Sequence, residues 1–186
     1  MKKIATIDFD IIMNPCIDLY NDSDLSVDEY LNKFDFLGWL GADLALYRTL
    51  TNLVMNFDKN RIEFIESHDE IVPEIEEPII LYNIDYHHDI AYKNEDLTHR
   101  FQDYNEGNWV KKLWDSDLIE EYIWLKDYNS ADVDEEGEKY ITEEHYVYNY
   151  DLSELLEADK LYICFSPEWV PYYYSSLYYL WQDLTK

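Results

Sequence analysis

The sequence predicts a single α/β domain of three layers, with a mainly parallel sheet covered by helices on both faces. Short runs of β-prone apolar residues alternate along the chain with segments of helical periodicity, which is the order expected of a parallel sheet. One run, Ile-Ile-Leu-Tyr at residues 79–82, is continuously apolar, as a strand covered on both sides requires. The 186 residues contain no evident repeat or linker, so we expect residues 1–186 to form one domain.

Each element follows from its composition and from the residues that bound it. Strands are predicted where β-branched and aromatic residues end at turn formers, over residues 3–12, 61–66, 78–84, 119–125 and 161–165. The run 119–125 also fits a helix, but its aromatic and β-branched composition favours a strand. Helices are predicted from apolar periodicity or from a capping box, over residues 26–32, 36–57, 108–114 and 172–184. Residues 131–139 are expected to form an acidic loop.

The charge of the chain narrows the classes of function. It carries 41 acidic and 14 basic residues, a net charge of -27. Such a surface repels phosphates, so direct binding of DNA or RNA is not expected. Three interpretations stay open: attraction of metal ions or of a guanidinium or ammonium substrate, mimicry of nucleic acid against a basic partner, and solubility alone. The four glycines form neither a GxGxxG nor a GxxxxGK[ST] pattern, which argues against a phosphate-cradling loop.

Cysteine usage and hydropathy indicate a compartment. Cys16 and Cys164 are the only cysteines, which fits a reducing environment. The first residues contain no long apolar run, so neither a signal peptide nor a membrane span is expected. The expected location is the cytoplasm, with no membrane partner, and the oligomeric state is left open.

Three polar clusters close predicted strands. They occupy residues 8–10 (Asp-Phe-Asp), 67–69 (Ser-His-Asp) and 85–89 (Asp-Tyr-His-His-Asp). Side chains two apart on a strand share a face, so Asp8 is expected to meet Asp10, and Asp85 to meet His87. The carboxyl ends of parallel strands lie at one edge of the sheet, which is where sites form in open α/β folds.

Metal binding is the chemistry that these clusters favour. Buried carboxylates at this density cannot all ionise without a compensating cation. Oxygen ligands with some imidazole suit manganese, and also iron or zinc. Taken alone, a DxD pair is more often a solvated turn, and a single histidine is more often a surface or core residue. Three such clusters at the ends of three strands together favour a metal site.

The motifs resemble signatures of the arginase and deacetylase superfamily. IDYHHD at residues 84–89 looks like its DxHxD signature, IDFD at 7–10 like its DxD signature, and ESHDEI at 66–71 like the segment that supplies its first histidine ligand. LYICFSPEWVP at 161–171 and EGNWV at 106–110 are similar to segments of small arginase-like proteins. The closest resemblance is to the peptide arginases, which convert arginine residues within a peptide to ornithine. The resemblance implies an arginase-like fold.

The resemblance also implies a centre of two Mn²⁺ ions, with Fe²⁺ or Co²⁺ as alternatives. The implied ligands are two bridging carboxylates, a histidine–aspartate pair on one ion and a second such pair on the other: Asp8 and Asp85, His68 and Asp89, and His87 and Asp10, in that order. Two ions suit the hydrolysis of a guanidino group because they lower the pKa of a water molecule and fix its direction of attack.

Three further residues are candidates for roles beside the metals. Glu168 falls where the family places a carboxylate that faces the guanidinium and accepts its N–H groups in a two-pronged fashion; the alternative is a solvated turn residue. His99 lies ten residues beyond Asp89, a distance that fits a catalytic, proton-shuttling histidine, and a surface position fits equally well. Asn108 can line the substrate site beside Trp109, for which core packing is favoured.

The expected function is therefore hydrolysis of arginine residues in a peptide substrate, giving ornithine and urea. Two competitors stay open. Another metal-dependent amidohydrolase of the superfamily, deacetylase or agmatinase-like, would differ in metal stoichiometry, since a deacetylase needs a single zinc. An acidic inhibitor that mimics nucleic acid would spread its carboxylates over a face instead of gathering them at strand ends.

Overall fold

The computed structural model describes residues 1–14, 41–90, 104, 107–130, 133, 137–167, 169–170 and 174–186. Its strands are β1 (Lys2–Asp8), β2 (Met13–Asn14), β3 (Gly41–Ala42), β4 (Ile62–Ile65), β5 (Ile79–Ile84), β6 (Ile119–Lys126), β7 (Glu143–Tyr146) and β8 (Lys160–Cys164). Its α-helices are α1 (Leu44–Asn56), α2 (Trp109–Asp115) and α3 (Ser175–Thr185).

Six of these strands form an all-parallel sheet in the order β4-β8-β1-β5-β6-β7, and β2 and β3 form a separate antiparallel pair. The predicted α/β fold with a mainly parallel sheet is confirmed. Parallel neighbours need long connections, and here helices or 3-10 turns lie within those connections.

Helical elements cover both faces of the sheet. Helices α1 and α3 pack on the face to which Ala5 and Ile7 of β1 point. Helix α2 and the 3-10 turn His68–Glu74 pack on the opposite face, together with Ile4. Alternate residues of a strand point to opposite faces, so β1 contributes to both apolar cores. It is therefore held from both sides at the centre of the molecule.

Strand β1 ends earlier than the sequence predicts. The side chain of its last residue, Asp8, accepts a hydrogen bond from the N–H of Asp10 at 3.1 Å, and the chain turns into a 3-10 helix at Phe9–Ile12. An aspartate that binds the backbone two residues on offers the chain an alternative to the sheet ladder. The predicted strand over residues 3–12 is therefore wrong for its last four residues.

Helix α1 begins later than the sequence predicts. Asp43 precedes it, and its side chain accepts hydrogen bonds from two backbone N–H groups of the first turn, at 2.8 and 2.9 Å. Immediately before this cap, Gly41–Ala42 pairs as a strand with Met13–Asn14. The helix predicted over residues 36–57 is therefore wrong at residues 41–43.

Strands β4, β5, β6 and β8 and helices α2 and α3 lie at the predicted positions, with small differences at their ends. The sequence does not predict β7, because Glu-Glu-His-Tyr lacks the apolar pattern of a strand. The helix predicted over residues 26–32 and most of the acidic loop over 131–139 lie outside the described residues. Within the described part of the chain, no helix has the length and apolar character needed to cross a membrane.

Candidate metal centre

The sheet order places the carboxyl ends of β4, β8, β1 and β5 side by side. The six predicted metal ligands stand at or just past these ends, in three groups: Asp8 and Asp10 at the end of β1, His68 after β4, and Asp85, His87 and Asp89 after β5. Five of them are buried, and the His87 side chain is 19% exposed. The structure brings all six together, and we call them the Asp–His cluster.

His68 lies among three carboxylates. Its Nδ1 is 3.3 Å from Asp8 Oδ2 and 3.4 Å from Asp89 Oδ2. The same nitrogen is 3.7 Å from Asp85 Oδ2. We call this part of the cluster the His68 half. It combines one imidazole nitrogen with three carboxylate oxygens in a space closed to solvent.

His87 forms the other part, which we call the His87 half. Its Nδ1 is 2.9 Å from Asp10 Oδ2 and 4.0 Å from Asp85 Oδ1. The indole ring of Trp169 lies against the imidazole, with ring centroids 4.3 Å apart. The ring of Tyr86 contacts the same imidazole at 5.2 Å. Aromatic rings thus flank the partly exposed histidine.

Asp85 joins the two halves. Its Oδ2 faces His68 and its Oδ1 faces His87, so one carboxylate presents an oxygen to each imidazole. Asp8 lies in the His68 half, and its charge also acts on His87. This arrangement is the one that the resemblance implies for bridging carboxylates, most directly for Asp85.

Tight turns bring together the residues that lie two apart in each motif. The prediction that these residues share a strand face is therefore wrong. The N–H of Asp10 donates to Asp8 Oδ1, and the N–H of His87 donates to Asp85 Oδ1 at 2.8 Å. Strand β5 ends before Asp85, so the pairs do not share a strand face. Asp89 has a positive φ of 55°, a conformation that aspartate adopts more readily than most residues. The chain thereby curls back and returns its carboxylate to the cluster.

Side chains from distant segments orient the carboxylates. Trp109 Nε1 donates to Asp89 Oδ2 at 2.6 Å, and its ring lies 5.1 Å from that of His68. Ser166 Oγ donates to Asp8 Oδ2 at 2.6 Å. Trp109 is fully buried, so the predicted core role holds, but its indole N–H also contacts the cluster. The sequence gives no local signal for Ser166, which follows β8 far from β1 in the chain.

Asn83 supports Asp85 from within β5. Its Nδ2 donates to Asp85 Oδ2 at 3.0 Å, and its Oδ1 accepts a hydrogen bond from Thr6. Trp124 Nε1 donates to the backbone carbonyl of Asp85 at 3.0 Å. A fully buried amide in an otherwise apolar strand is the sequence signal that would have indicated this support.

Burial and mutual repulsion act on the aspartates. Burial, followed by the charge of Asp10, raises the pKa of Asp8 to about 7. Burial and the charges of the other aspartates raise the pKa of Asp85 well above its ordinary value. Asp89 differs, because hydrogen bonding and charge from His68 overcome burial and lower its pKa. Without a cation, these carboxylates cannot all be ionised at neutral pH.

The pKa values of the two histidines are also raised, but against the effect of burial. Burial alone would lower the pKa of His87, but the charge of Asp10 and its hydrogen bond outweigh burial and raise that pKa to about 9. Burial is likewise outweighed at His68, where hydrogen bonding to Asp89 and the charge of Asp8 raise the pKa. In the absence of a metal, the aspartates therefore favour the protonated form of both imidazoles.

The residues fit divalent cations. Four ionised carboxylates carry more negative charge than two protonated histidines can balance, so full ionisation of the cluster needs added cations. Ligand atoms bound about 2.1 Å from one ion stand roughly 3 to 4 Å apart, which is the range of the contacts above. Three sets of potential ligand atoms each lie within 4.8 Å of one another: Asp10, Asp85 and His87; His68, Asp85 and Asp89; and Asp8, His68 and Cys164. Carboxylate oxygens with imidazole suit manganese, iron or zinc.

His88 belongs to none of these three sets of potential ligands. Asn108 is buried directly before Trp109. His88 turns to other partners, because its Nδ1 accepts from the N–H of Ile90 and its ring contacts Trp124. The predicted catalytic residue His99 and the predicted substrate ligand Glu168 lie outside the described residues.

The fold and the cluster together define the class: an α/β protein with a parallel sheet and a buried Asp–His cluster at its carboxyl edge. No family model, curated protein or solved structure matches the chain. The resemblance of its motifs to the arginase and deacetylase superfamily stays a prediction.

Proposed function

We propose that the protein is a hydrolase with two divalent metal ions, Mn²⁺ in preference to Fe²⁺ or Co²⁺, that acts on arginine residues in a peptide and gives ornithine and urea. The observation that carries the metal part is Asp85, whose two oxygens each face a different histidine. A carboxylate in that position can bind one ion with each oxygen. The substrate part rests on the resemblance of the motifs and on charge.

The two halves of the cluster would each hold one ion. In the His68 half the ligands would be His68, Asp8 and Asp89, and in the His87 half they would be His87 and Asp10. Asp85 would serve both, and the resemblance gives the same bridging role to Asp8, which lies closest to His68. Such a pair of ions supplies an activated water and stabilises negative charge that develops during attack.

The chain's own residues would hold and orient this site. Trp109 and Ser166 each donate a hydrogen bond to one ligand carboxylate and so fix its direction. The exposed part of His87 marks the side from which a substrate would approach. Trp169 would exclude water there and offer a flat surface to a planar guanidinium.

Charge supports a cationic substrate. The net charge of -27 attracts cationic peptides over a distance. The resemblance assigns the guanidinium-binding role to Glu168, which lies in the sequence between two residues that contact the cluster, Ser166 and Trp169. The acidic-mimic alternative is less well supported, because its carboxylates should spread over a surface, whereas four cluster carboxylates are buried.

The test incubates the manganese-loaded protein with peptides that contain arginine and with matched peptides in which lysine replaces arginine. We expect urea and an ornithine-containing product from the arginine peptides alone. Release of acetate from acetyl-lysine peptides instead would favour the deacetylase alternative. Absence of any product with a metal-loaded protein would contradict the proposed substrate but not the metal site.

Glu168→Gln separates substrate binding from metal binding. A guanidinium needs an acceptor-only partner in its plane, and an amide presents a conflicting NH₂ group. Losing a hydrogen bond to a charged group costs about 1.5–3 kcal/mol, so we expect roughly a ten- to hundredfold lower kcat/KM with metal content unchanged. The matched control is Glu157→Gln, an exposed carboxylate just before β8 at the opposite edge of the sheet. Activity of Glu168→Gln within about twofold of the parent would remove Glu168 from the site.

A further inference from the structure

Cys164 lies inside the His68 half although the predicted ligand set does not include it. It is the last residue of β8 and is fully buried. Its Sγ can form a set with one ligand atom each of Asp8 and His68, all within 4.8 Å of one another. Strand β8 lies between β4 and β1, so the thiol emerges between the strand ends that carry these two residues.

The thiol belongs to the apolar core on the α2 face of the sheet, but it also contacts polar atoms. Cys164 Sγ is 3.4 Å from the carbonyl oxygen of Glu66 and 3.3 Å from Ser166 Oγ. Ser166 in turn donates to Asp8. Apolar side chains surround part of this cysteine, and its sulfur adjoins the Asp–His cluster through a serine.

The imidazole of His68 provides a second, independent observation. Its Nε2 is buried and has no hydrogen-bond partner among the described residues. Buried polar atoms are nearly always satisfied, so an unsatisfied ring nitrogen marks a place where a ligand is expected. The other ring nitrogen, Nδ1, lies 3.3 Å from Asp8 Oδ2, and His68 is the histidine that groups with Asp8 and Cys164.

We propose that Cys164, with Asp8 and His68, binds a thiophilic divalent cation such as Zn²⁺ or Co²⁺, so that the two halves of the cluster differ in the metal they select. The proposal rests on metal binding by the cluster and is independent of any arginine substrate. It replaces the Mn²⁺ that the proposed function places in the His68 half with a thiophilic ion and keeps Mn²⁺ in the His87 half. On binding, the thiol proton leaves to solvent and the thiolate bonds the cation, with no change of oxidation state.

The chemistry of the donors explains the difference. Thiolate is a soft ligand that favours zinc and cobalt over manganese, whereas carboxylate and imidazole accept manganese as well. The His87 half offers oxygen and imidazole nitrogen alone among its described ligands, Asp10, Asp85 and His87. Under mixed metals, the His68 half would take the thiophilic ion and the His87 half would take manganese.

Cobalt titration of the metal-free full-length protein tests the proposal. A cobalt–thiolate bond gives a charge-transfer absorption band in the near ultraviolet, and bound cobalt also gives visible d–d bands that need no sulfur. We expect both signals in the parent protein. In Cys164→Ser we expect the d–d bands to remain and the charge-transfer band to disappear.

Cys16→Ser is the matched control. The chain has two cysteines, so this variant keeps Cys164 as its sole thiol. A charge-transfer band in Cys16→Ser assigns the bond to Cys164 even if Cys164→Ser fails to fold. Loss of the band in Cys16→Ser would overturn the proposal.

The remaining outcomes separate this proposal from the proposed function. Visible d–d bands without a charge-transfer band in the parent would overturn ligation by Cys164 and leave the cluster as a metal site. A parent protein that gives neither signal, and whose melting temperature does not rise with cobalt or manganese, would overturn both. A zinc preference over manganese that falls in Cys164→Ser would add direct support.

Discussion

The two halves of the Asp–His cluster differ in how they meet solvent. The side chain of His68 is 2% exposed and lies among three carboxylates, with Trp109 against its ring. The side chain of His87 is 19% exposed, with Asp10 as its closest carboxylate and Trp169 against its ring. His68 is enclosed by the strand ends. His87 lies at the partly exposed side of the site, which we call the mouth.

This difference assigns different tasks to similar residues. An enclosed half cannot exchange its ligands with solvent easily, so it is suited to hold an ion and to stabilise the fold around it. A half at the mouth can exchange water or admit part of a substrate. Under the proposed function, the His68 half would be the structural side of the site and the His87 half its reactive side.

The largest expected effect comes from the residue that joins the halves. Asp85→Asn should lose both ions, because it removes the charge that both halves share. In the metal-free state the same variant should unfold less readily at pH 7, since a buried carboxylate with a raised pKa costs stability there. Elemental analysis and chemical denaturation of the metal-free and metal-loaded proteins measure the two effects.

His88→Ala is the control for Asp85→Asn. It removes a neighbouring histidine whose ring contacts Trp124, and it should keep full metal content. If Asp85→Asn retained two ions, the halves would be independent and the shared-carboxylate arrangement would be incorrect.

Trp109→Phe should weaken the enclosed half selectively. Phenylalanine keeps an aromatic ring beside His68 but removes the N–H that binds Asp89. Loss of such support typically lowers metal affinity roughly 10- to 100-fold. Trp169→Phe is the matched variant at the mouth, where a ring is also retained, and its metal affinity should change little. Isothermal titration of both variants compares them, and equal losses would remove the distinction between the halves.

Metal affinity should rise with pH. In the metal-free protein the His87 pKa is about 9 against 6.5, so its contribution to stability is complete below pH 6.5 and is lost between 6.5 and 9. The Asp8 pKa is about 7 against 3.8, so its burial costs stability as pH rises from 3.8 to 7. Cations bind the deprotonated forms of both groups.

We therefore expect the rise in melting temperature caused by Mn²⁺ to grow between pH 6.5 and 9, with affinity changing about tenfold per pH unit for each proton displaced. The measurement is a thermal scan with and without the metal under anaerobic conditions. In His87→Gln the dependence at the upper end should flatten, because the proton that competes at the mouth is gone. A pH-independent shift would contradict competition between protons and metal.

The smallest expected effect concerns a contact at the mouth. The hydroxyl of Tyr86 donates to the carbonyl of Asn129 at 2.8 Å and ties the turn of His87 to the segment after β6. Tyr86→Phe should lower the free energy of unfolding by about 0.5–1.5 kcal/mol and leave metal content unchanged. Urea denaturation measures the change. Loss of the ion from the His87 half in this variant would mean that metal binding there depends on the hydrogen bond between Tyr86 and Asn129.

Spacing in the sequence indicates the six cluster residues because each motif follows an apolar strand, and parallel strand ends meet at one edge. The reason for their convergence was not predictable from strand periodicity. Asp8 and Asp85 accept hydrogen bonds from backbone two residues on, and such local bonds override the strand pattern. The chain turns after Asp8, so Asp10 lies in a 3-10 helix and approaches His87 from there and not from a strand face.

The hydrogen bonds that orient the cluster carboxylates could not be predicted from the sequence, for a different reason. Ser166 and Asp8 lie 158 residues apart in the chain, and Trp109 and Asp89 lie 20 apart. Periodicity reports which face of an element is apolar, but not which side chain of another element will meet it. Strand β7 was not predicted for a third reason. An edge strand made of polar residues lacks the apolar pattern by which strands are recognised in a sequence.

The position of β1 also constrains how the molecule folds. This early segment lies between two strands that come much later in the sequence, with Thr6 contacting Asn83 across 77 residues and Lys3 contacting Asp159 across 156. Such distant pairings make folding slow, because long loops must close before the contacts form. While the chain is being synthesised, β1 has both edges unpaired until β5 and β8 have emerged, which is a state prone to aggregation. Charged residues flank its apolar stretch, Lys2 and Lys3 before it and Asp8 and Asp10 after it, and charges in such positions disfavour mispairing of an exposed strand.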